Sequence, residues 1–358
     1  MSAALLVRPK CRPTKTRVAI VGGGIVGLSI AWRLTQRGYP VTVHDPGPGT
    51  GASSVAAGML SPAGEAAYGE RELAVLAVES AHRWPAFAAE LATESGHDLG
   101  YRDDGTVLVA RTDDDLAELR RLVSWQTALG LSAVPALASE LRAREPRLAP
   151  RIRGGAVLPD DHQVDPRRVL AALLSLPGIA YVRQPVTDLS TVDSEVVVLA
   201  AGYTSAELAG LPVRPVKGQL LRLRGPGGLR YVVRGWADGR SVYVVPRADG
   251  EVVVGATTEE RSDATVTAGA VLDLLRAAVD LVPELAEYVL TETQVGFRPG
   301  TPDNAPVIGE LRPGVLVATG HYRNGVLLAP VTADAVADLV TGGPDAELVK
   351  AYGPERFG

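Results

Sequence analysis

Three glycines in the pattern Gly22-x-Gly24-x-x-Gly27 are the residues whose spacing most directly indicates chemistry. A short apolar run, 17–21, precedes them, and a segment with apolar residues at helical spacing, 25–37, follows. In this context the first glycine permits a tight turn, the second lets the backbone approach a pyrophosphate, and the third allows the helix to pack closely on the strand. The first N–H groups of the helix would bind phosphate oxygens. The motif predicts a dinucleotide site that includes Gly22, Gly24, Ile25, Val26 and Gly27.

An acidic residue, Asp45, follows the next predicted strand, 41–44, at the position where a carboxylate accepts hydrogen bonds from the ribose of adenosine. These residues alone are compatible with NAD or FAD. The small residues of the next loop, 47–58, favour FAD because the phosphates and the ring of a flavin could approach closely. The predicted contacts from this loop and the residue after it are Ser53, Ser54, Ala57, Gly58 and Met59.

The charge balance limits the partners of this chain. With 36 basic and 41 acidic residues, it has no excess of positive charge to attract a nucleic acid or an anionic membrane. The longest uncharged apolar stretch, 18–32, is interrupted by glycines and is shorter than the ~20 residues that span a bilayer. The histidines show no spacing typical of metal ligands. The single cysteine, Cys11, suits the cytoplasm and lies in a leader, 1–14, that we expect to be disordered.

Periodicity along the chain indicates two interleaved architectures. We predict helices at 25–37, 71–95, 113–129, 165–174, 266–281 and 325–340, and strands at 17–21, 41–44, 156–158, 179–183, 195–199, 219–224, 241–245, 251–255 and 315–318. This pattern predicts an α/β protein in which a Rossmann-like FAD-binding domain is interleaved with an antiparallel-sheet α+β substrate domain. The FAD-binding domain would comprise 15–80, 150–210 and 295–345, and the substrate domain 81–149 and 211–294.

Five segments carry a more specific signal than the glycine motif alone. They are VAIVGGGIVG at 18–27, GAS at 51–53, AAGML at 56–60, GFRPGTPDNAPVIG at 296–309 and GHYRNGVLLAP at 320–330. Together they resemble the D-amino-acid-oxidase-like family of flavoproteins, and most closely its glycine-oxidising members. The resemblance spans residues 17–345, and the last two segments are its most specific part.

The resemblance implies oxidation of glycine, or of a small amine such as sarcosine or a D-amino acid, by hydride transfer from Cα to N5 of non-covalently bound FAD. Dioxygen would reoxidise the flavin, giving the imine or glyoxylate, ammonia and hydrogen peroxide, and the product would serve thiamin thiazole synthesis. A D-amino acid, sarcosine or proline dehydrogenase with another electron acceptor, and a flavin-binding module without turnover, stay open as alternatives. The resemblance is also compatible with a homo-oligomer.

This chemistry needs a cation that binds the substrate carboxylate and directs Cα–H toward the flavin. Arg298 is the first candidate, because a guanidinium can bind a carboxylate bidentately and because Gly296, Pro299 and Gly300 around it predict an irregular backbone. Tyr243, on the strand 241–245, could donate a second hydrogen bond. Arg323, just before the last predicted helix, is the third candidate catalytic residue.

The remaining predicted cofactor contacts lie in the second half of the chain. The last helix, predicted to begin at Gly325, would direct its first N–H groups at the flavin pyrimidine, where negative charge accumulates on reduction. The other contacts follow predicted strands. The predicted contacts in the second half of the chain are Val186, Ala201, Gly202, His321, Arg323, Asn324, Gly325 and Val326.

Overall fold

The computed structural model describes residues 15–357, so the predicted leader, 1–14, lies outside the described residues. Within that range the strands are β1 (Val18–Val21), β2 (Val41–His44), β3 (Met59–Leu60), β4 (Thr106–Ala110), β5 (Val134–Leu137), β6 (Gly154–Leu158), β7 (His162–Gln163), β8 (Ile179–Val182), β9 (Val196–Leu199), β10 (Arg214–Arg224), β11 (Val232–Ala237), β12 (Arg240–Pro246), β13 (Glu251–Gly255), β14 (Val289–Gly300), β15 (Val307–Arg312) and β16 (Val315–Thr319). The helices are α1 (Ile25–Gln36), α2 (Ala52–Val55), α3 (Arg71–Ser95), α4 (Asp113–Ala128), α5 (Ala138–Arg144), α6 (Pro166–Ser175), α7 (Ser205–Ala209), α8 (Ala268–Leu281) and α9 (Ala329–Thr341). None of these helices is both long and apolar enough to cross a bilayer.

The first sheet has the strand order β15-β16-β9-β1-β2-β8, and its pairs are parallel except for β15 with β16. The central strands β1 and β9 consist of apolar residues, as expected for parallel strands that are covered on both faces. Where β1 turns into α1, a Cβ on Gly27 would lie 2.0 Å from the carbonyl oxygen of Gly22, so the packing requires glycine. The predicted strand, glycine turn, helix and strand are therefore confirmed.

The longest helix, α3, packs against α9 and holds the turn that precedes it. Trp84 is fully buried, and its ring meets Phe87 edge to face with centroids 5.1 Å apart. Its indole Nε1 donates to the carbonyl oxygen of Leu327 at 2.9 Å, and the hydroxyl of Ser80 donates to the same oxygen at 2.6 Å. α3 therefore fixes both the core and the backbone of the turn 325–328.

The second sheet has the strand order β14-β10-β13-β12-β11-β4-β6-β5. Its pairs are antiparallel except for β11 with β4, so the predicted antiparallel sheet contains one parallel pair. α8 covers one face of this sheet. The other face carries the apolar residues Leu220, Val245 and Val253, which pack with Ala57 from the loop after α2. This contact brings the second sheet against the predicted cofactor loop.

Two segments that the sequence analysis places in the FAD-binding domain contribute strands to the second sheet. β6 lies inside the segment 150–210, which was assigned to the FAD-binding domain, yet it pairs with β4 and β5 of the second sheet. The residues 295–300, also assigned to the FAD-binding domain, belong to β14 of the second sheet. Apolar strands of both sheets have the same local pattern, so periodicity could not separate them.

Two predicted local structures near the site were wrong. The segment around Arg298 is a regular part of β14, and not an irregular backbone, because Pro299 is tolerated on an edge strand that needs no outward N–H bond. The last helix begins at Ala329 and not at Gly325, since a 3-10 helix (Tyr322–Asn324) and a turn come first. In contrast, the predicted bounds of β2, α3 and β13 agree with the structure.

We expect the Trp84→Phe variant to lower the free energy of unfolding by about 1–3 kcal/mol, because it loses an indole hydrogen bond and leaves a partly empty space in the core. Urea denaturation followed by circular dichroism would measure the change. Val75→Ala is the matched control, since Val75 lies on the same helix with 66% of its surface exposed. Equal effects of the two substitutions would contradict this account of the core.

Candidate active site

One elongated cavity of about 710 Å³ lies between the two sheets and contains most of the predicted site residues. Its walls come from the glycine turn after β1, the loop around α2, the ends of β8 and β9, the inner face of the second sheet and the turn before α9. The predicted residues that line it are Gly22, Gly24, Ile25, Val26, Asp45, Ser53, Ala57, Gly58, Met59, Val186, Ala201, Gly202, Tyr243, Arg298, His321, Arg323, Gly325 and Val326.

Three predicted cofactor residues lie outside the lining. Gly27 packs under the turn against Gly22. The hydroxyl of Ser54 donates to the carbonyl oxygen of Gly51 at 2.8 Å, so it closes the first turn of α2. Asn324 is buried beside a much smaller cavity that Glu65 and Glu70 also line. These three residues lie beside the lining and support the walls, and their contact with a cofactor stays a prediction.

The dinucleotide end of the cavity is built by close backbone contacts. Gly22 has a φ of 114°, and a Cβ there would lie 2.3 Å from the carbonyl oxygen of Ala200, so the close approach of the segments that follow β1 and β9 requires glycine. The carboxylate of Asp45 accepts hydrogen bonds from the amides of Gly23 and Gly47, both at 2.7 Å. These bonds fix the carboxylate at the end of β2, and its remaining lone pairs are open to a ribose.

The start of α1 differs in one detail from the prediction. The amide of Ile25 donates to the hydroxyl oxygen of Ser53 at 3.1 Å, so this N–H already has a partner. No side chain caps α1 at Gly24. Phosphate binding here therefore depends on the backbone around Gly24 and on the Ser53 hydroxyl, which keeps its own proton to donate. A close-packed glycine turn, a fixed carboxylate and a long cavity fit the adenosine and pyrophosphate of FAD.

At the opposite end, Arg298 from β14 and Tyr243 from β12 meet over the second sheet. A Cβ on Gly218 would lie 2.5 Å from Nη1 of Arg298, and a Cβ on Gly255 would lie 2.4 Å from the Tyr243 hydroxyl. The two glycines, on neighbouring strands, thus leave the space that the guanidinium and the phenol occupy. Arg298 makes no ion pair with a carboxylate of residues 15–357, and its Nη1 donates to the carbonyl oxygen of Thr257 at 3.1 Å.

A buried polar network holds this carbonyl in place. The hydroxyl of Thr257 accepts from the amide of Gln219 at 2.8 Å and donates to Glu259 at 2.6 Å. Lys217 is fully buried and donates to Asp263 at 2.9 Å. The segment that follows β13 is therefore fixed to β10, and Arg298 has a rigid support.

The charge state of Tyr243 suits hydrogen-bond donation. Burial raises the pKa of its phenol, and the nearby Arg298 only partly opposes this effect. The phenol therefore stays protonated at neutral pH. It can donate to an anion that Arg298 binds.

Glu65 is a site residue that the sequence analysis missed. Its carboxylate lines the cavity and accepts from Nη1 of Arg234 at 2.6 Å and from Nε of Arg323 at 3.0 Å. Burial would raise the pKa of Glu65, but the two arginines outweigh burial and the pKa lies below its ordinary value. Arg323 also lies 3.8 Å from Glu70. The charge of Arg323 is therefore paired within the protein, whereas Arg298 is available to a ligand.

The turn before α9 forms the remaining wall. His321 is buried, and its Nε2 lies 3.0 Å from the hydroxyl of Thr332. Burial lowers the pKa of His321 to about 3, so the imidazole is neutral at physiological pH. The amide of Val326 donates to no backbone carbonyl of the described residues, so it is available to an acceptor in the cavity.

The comparisons with known proteins agree with this geometry. A family model described as FAD dependent oxidoreductase matches residues 17–339. The chain is 35% identical to the glycine oxidase of Geobacillus kaustophilus, covering 90% of this chain and 92% of that protein. It is 34% identical to the bifunctional protein ThiO/ThiG of Synechocystis, covering 96% of this chain but only 54% of that longer protein.

A solved structure shows the same fold at high similarity. The crystal structure of glycine oxidase from Geobacillus kaustophilus superimposes with a TM-score of 0.87 at 34% identity, covering 95% of this chain and 98% of that one. The predicted combination of a Rossmann-like domain with a second, largely antiparallel sheet is thus confirmed, as is FAD as the cofactor. This chain belongs to the D-amino-acid-oxidase-like family of FAD-dependent oxidoreductases.

Proposed function

We propose that this protein oxidises glycine, and more slowly other small amines such as sarcosine or D-amino acids, to the imine, which water converts to glyoxylate and ammonia. The observation that carries the proposal is a single cavity with a dinucleotide-binding turn at one end and the pair Arg298 and Tyr243 at the other. The 35% identity to a glycine oxidase supports glycine as the substrate. When bound, FAD supplies the acceptor for the two electrons and the hydrogen that leave the substrate Cα.

In this proposal Arg298 binds the substrate carboxylate and Tyr243 donates a second hydrogen bond to it. The two contacts orient a small amino acid by one end, which leaves the Cα–H bond in a fixed direction. The positive charge of Arg298 also disfavours protonation of the substrate amine nearby. A neutral amine needs no separate general base, because only hydride must leave Cα.

Glu65 keeps the other cations at this end from competing for the carboxylate. Because Arg234 and Arg323 are both paired with Glu65, a monocarboxylate finds one free guanidinium and one free phenol. Arg323 acts in this proposal through the wall that it forms, and not as the primary carboxylate ligand. This arrangement favours a substrate with a single carboxylate.

Several finer points belong to the same proposal. Dioxygen is the electron acceptor, and hydrogen peroxide is the second product. The name ThiO/ThiG of one relative supports a role of the imine in thiamin thiazole synthesis. The cytoplasm as the compartment and a homo-oligomer as the assembly stay predictions.

The proposed reaction is tested by adding glycine, sarcosine and D-alanine in turn to the yellow holoprotein without oxygen. We expect glycine to bleach the visible absorption of the flavin, and air to restore it with release of hydrogen peroxide. Reoxidation that requires an added acceptor would replace the oxidase by a dehydrogenase. Absence of bleaching by any of these amines would contradict the proposed function.

We expect Arg298→Ala to raise the KM for glycine about thirtyfold or more while FAD stays bound. Loss of one partner of a charge-assisted pair typically costs about 2–5 kcal/mol, and each 1.4 kcal/mol is about tenfold in affinity. Steady-state peroxide production and the flavin spectrum of the purified variant would measure the two effects. Arg312→Ala is the control, because Arg312 is exposed on β15. An unchanged KM would remove Arg298 from the substrate site.

Tyr243→Phe should raise the KM about tenfold, since a hydrogen bond to a charged group contributes about 1.5 kcal/mol or more. Burial raises the pKa of Tyr243 above its ordinary value, so the phenol is a donor throughout the range from about pH 6 to about pH 9. The ratio of the two KM values should therefore be constant over that range. Tyr68→Phe, at a residue that is 54% exposed, is the control. A ratio that falls toward one as the pH rises would show that Tyr243 ionises and would contradict this role.

A further inference from the structure

Arg247 is a buried cation that the proposed reaction does not use. It lies just after β12, is 7% exposed, and makes no ion pair with a carboxylate of residues 15–357. Burial lowers the pKa of its guanidinium to about 10, so it is still charged at neutral pH. Burying a charge without a partner of opposite sign costs free energy that the surrounding structure must offset. The hydrogen bonds of Arg247 indicate its structural role.

All the hydrogen bonds of this side chain go to neutral oxygens where two chain segments cross. Nη2 donates to the carbonyl oxygen of Ala57, and Nη1 donates to the side chain of Gln163 at 3.0 Å and to the carbonyl oxygen of Val164 at 3.1 Å. A single planar guanidinium thus joins the loop before β3 to the segment that begins with β7. Lysine could not bind these diverging acceptors simultaneously in the same way.

The crossing itself is tight. A Cβ on Gly58 would lie 2.0 Å from the carbonyl oxygen of Val164, and the amide of Val164 donates to the carbonyl oxygen of Gly58 at 2.9 Å. Gly58 has a φ of 82°, which favours glycine. The loop therefore packs tightly against Val164. Arg247 donates hydrogen bonds to both segments of this contact, to Ala57 in the loop and to Val164.

This crossing belongs to the reactive end of the cavity. Ala57, Gly58 and Met59 line the cavity. Ala57 and Met59 lie in the same apolar cluster as Tyr243, and the sulfur of Met59 lies 3.9 Å from Nη1 of Arg234. Arg247 is thus connected by one hydrogen bond to the wall that faces the carboxylate-binding pair.

We propose that Arg247 is a positioning residue for the flavin: it fixes the wall formed by Ala57, Gly58 and Met59 and so sets how closely the flavin lies to Tyr243 and Arg298. Arg247 itself does not line the cavity, so it would act on the flavin only through this wall. The proposal uses the proposed function only for the position of the substrate. The expected effect on FAD binding depends only on FAD being the cofactor, and not on which substrate is oxidised.

The test begins with FAD binding to Arg247→Met, Arg247→Lys and wild-type protein after removal of FAD, measured by the quenching of FAD fluorescence. We expect the dissociation constant to rise at least about tenfold for methionine, since hydrogen bonds to a charged group each contribute about 1.5 kcal/mol or more. Arg247→Lys keeps the charge but loses the planar guanidinium, so its dissociation constant for FAD should lie between those of Arg247→Met and wild type. Arg224→Met is the control, because Arg224 pairs with Asp249 at the surface.

The second measurement is turnover of glycine at saturating FAD. We expect kcat to fall at least about fivefold in Arg247→Lys with little change in KM, because Arg298 and Tyr243 remain and the geometry of the flavin changes. A variant that is only less stable, with a lower Tm but with wild-type FAD affinity and kcat, overturns the proposal. If Arg247→Met fails to fold, the test rests on Arg247→Lys. Wild-type FAD affinity and wild-type kcat in Arg247→Lys would also overturn the proposal.

The two hypotheses fail in different ways. If glycine is not the substrate, wild-type protein does not turn it over, yet the FAD affinity of the Arg247 variants still tests the positioning role. If Arg247 has no such role, wild-type protein still oxidises glycine and the variants bind FAD as tightly as wild type.

Discussion

The site depends on keeping one guanidinium free of protein carboxylates inside a fold with an acidic balance. The proposed role of Arg298 requires that it stay charged and available, although Glu65 and Glu70 lie in the same region. The structure achieves this by giving those acids other partners, since Glu65 is held between Arg234 and Arg323. In the proposed function a free carboxylate near Arg298 would compete with the substrate, so the ion pairs of Glu65 keep Arg298 available.

The same constraint explains why glycines occur on two neighbouring strands, β10 and β13, of a regular sheet. Side chains at Gly218 and Gly255 would collide with the guanidinium of Arg298 and the phenol of Tyr243. Glycine weakens a strand, and here the long pairing of β10 with β14 and the buried network around Lys217 compensate for it. The sheet thus leaves space for the Arg298 guanidinium and the Tyr243 phenol, the two groups proposed to bind the substrate carboxylate.

Local sequence patterns could predict the cofactor turn and the candidates for carboxylate binding, but not the charged residues that hold the surrounding walls in place. The glycine turn, Asp45 and the loop with Ala57 have short spacings with a direct physical meaning, and Arg298 stands in a recognisable motif. Glu65, Arg234 and Arg247 were missed because their partners are remote in sequence: Arg234 lies 169 positions after Glu65, and Arg247 lies 190 positions after Ala57. The start of α9 was also misplaced, because its first turns are shaped by contacts with α3 that leave no periodic signal.

Ion pairs with carboxylates distinguish the buried cations that support the fold from the two arginines that we propose to act at the site. Lys217 and Arg222 are as buried as side chains can be, and both are paired with carboxylates, Lys217 with Asp263 and Arg222 with Glu251. Within residues 15–357, Arg298 and Arg247 have no such partner; Arg298 lines the cavity, and Arg247 lies behind the wall to which Ala57 belongs. In the proposed function the substrate carboxylate balances the charge of Arg298, whereas the charge of Arg247 is offset within the protein by hydrogen bonds to three neutral oxygens.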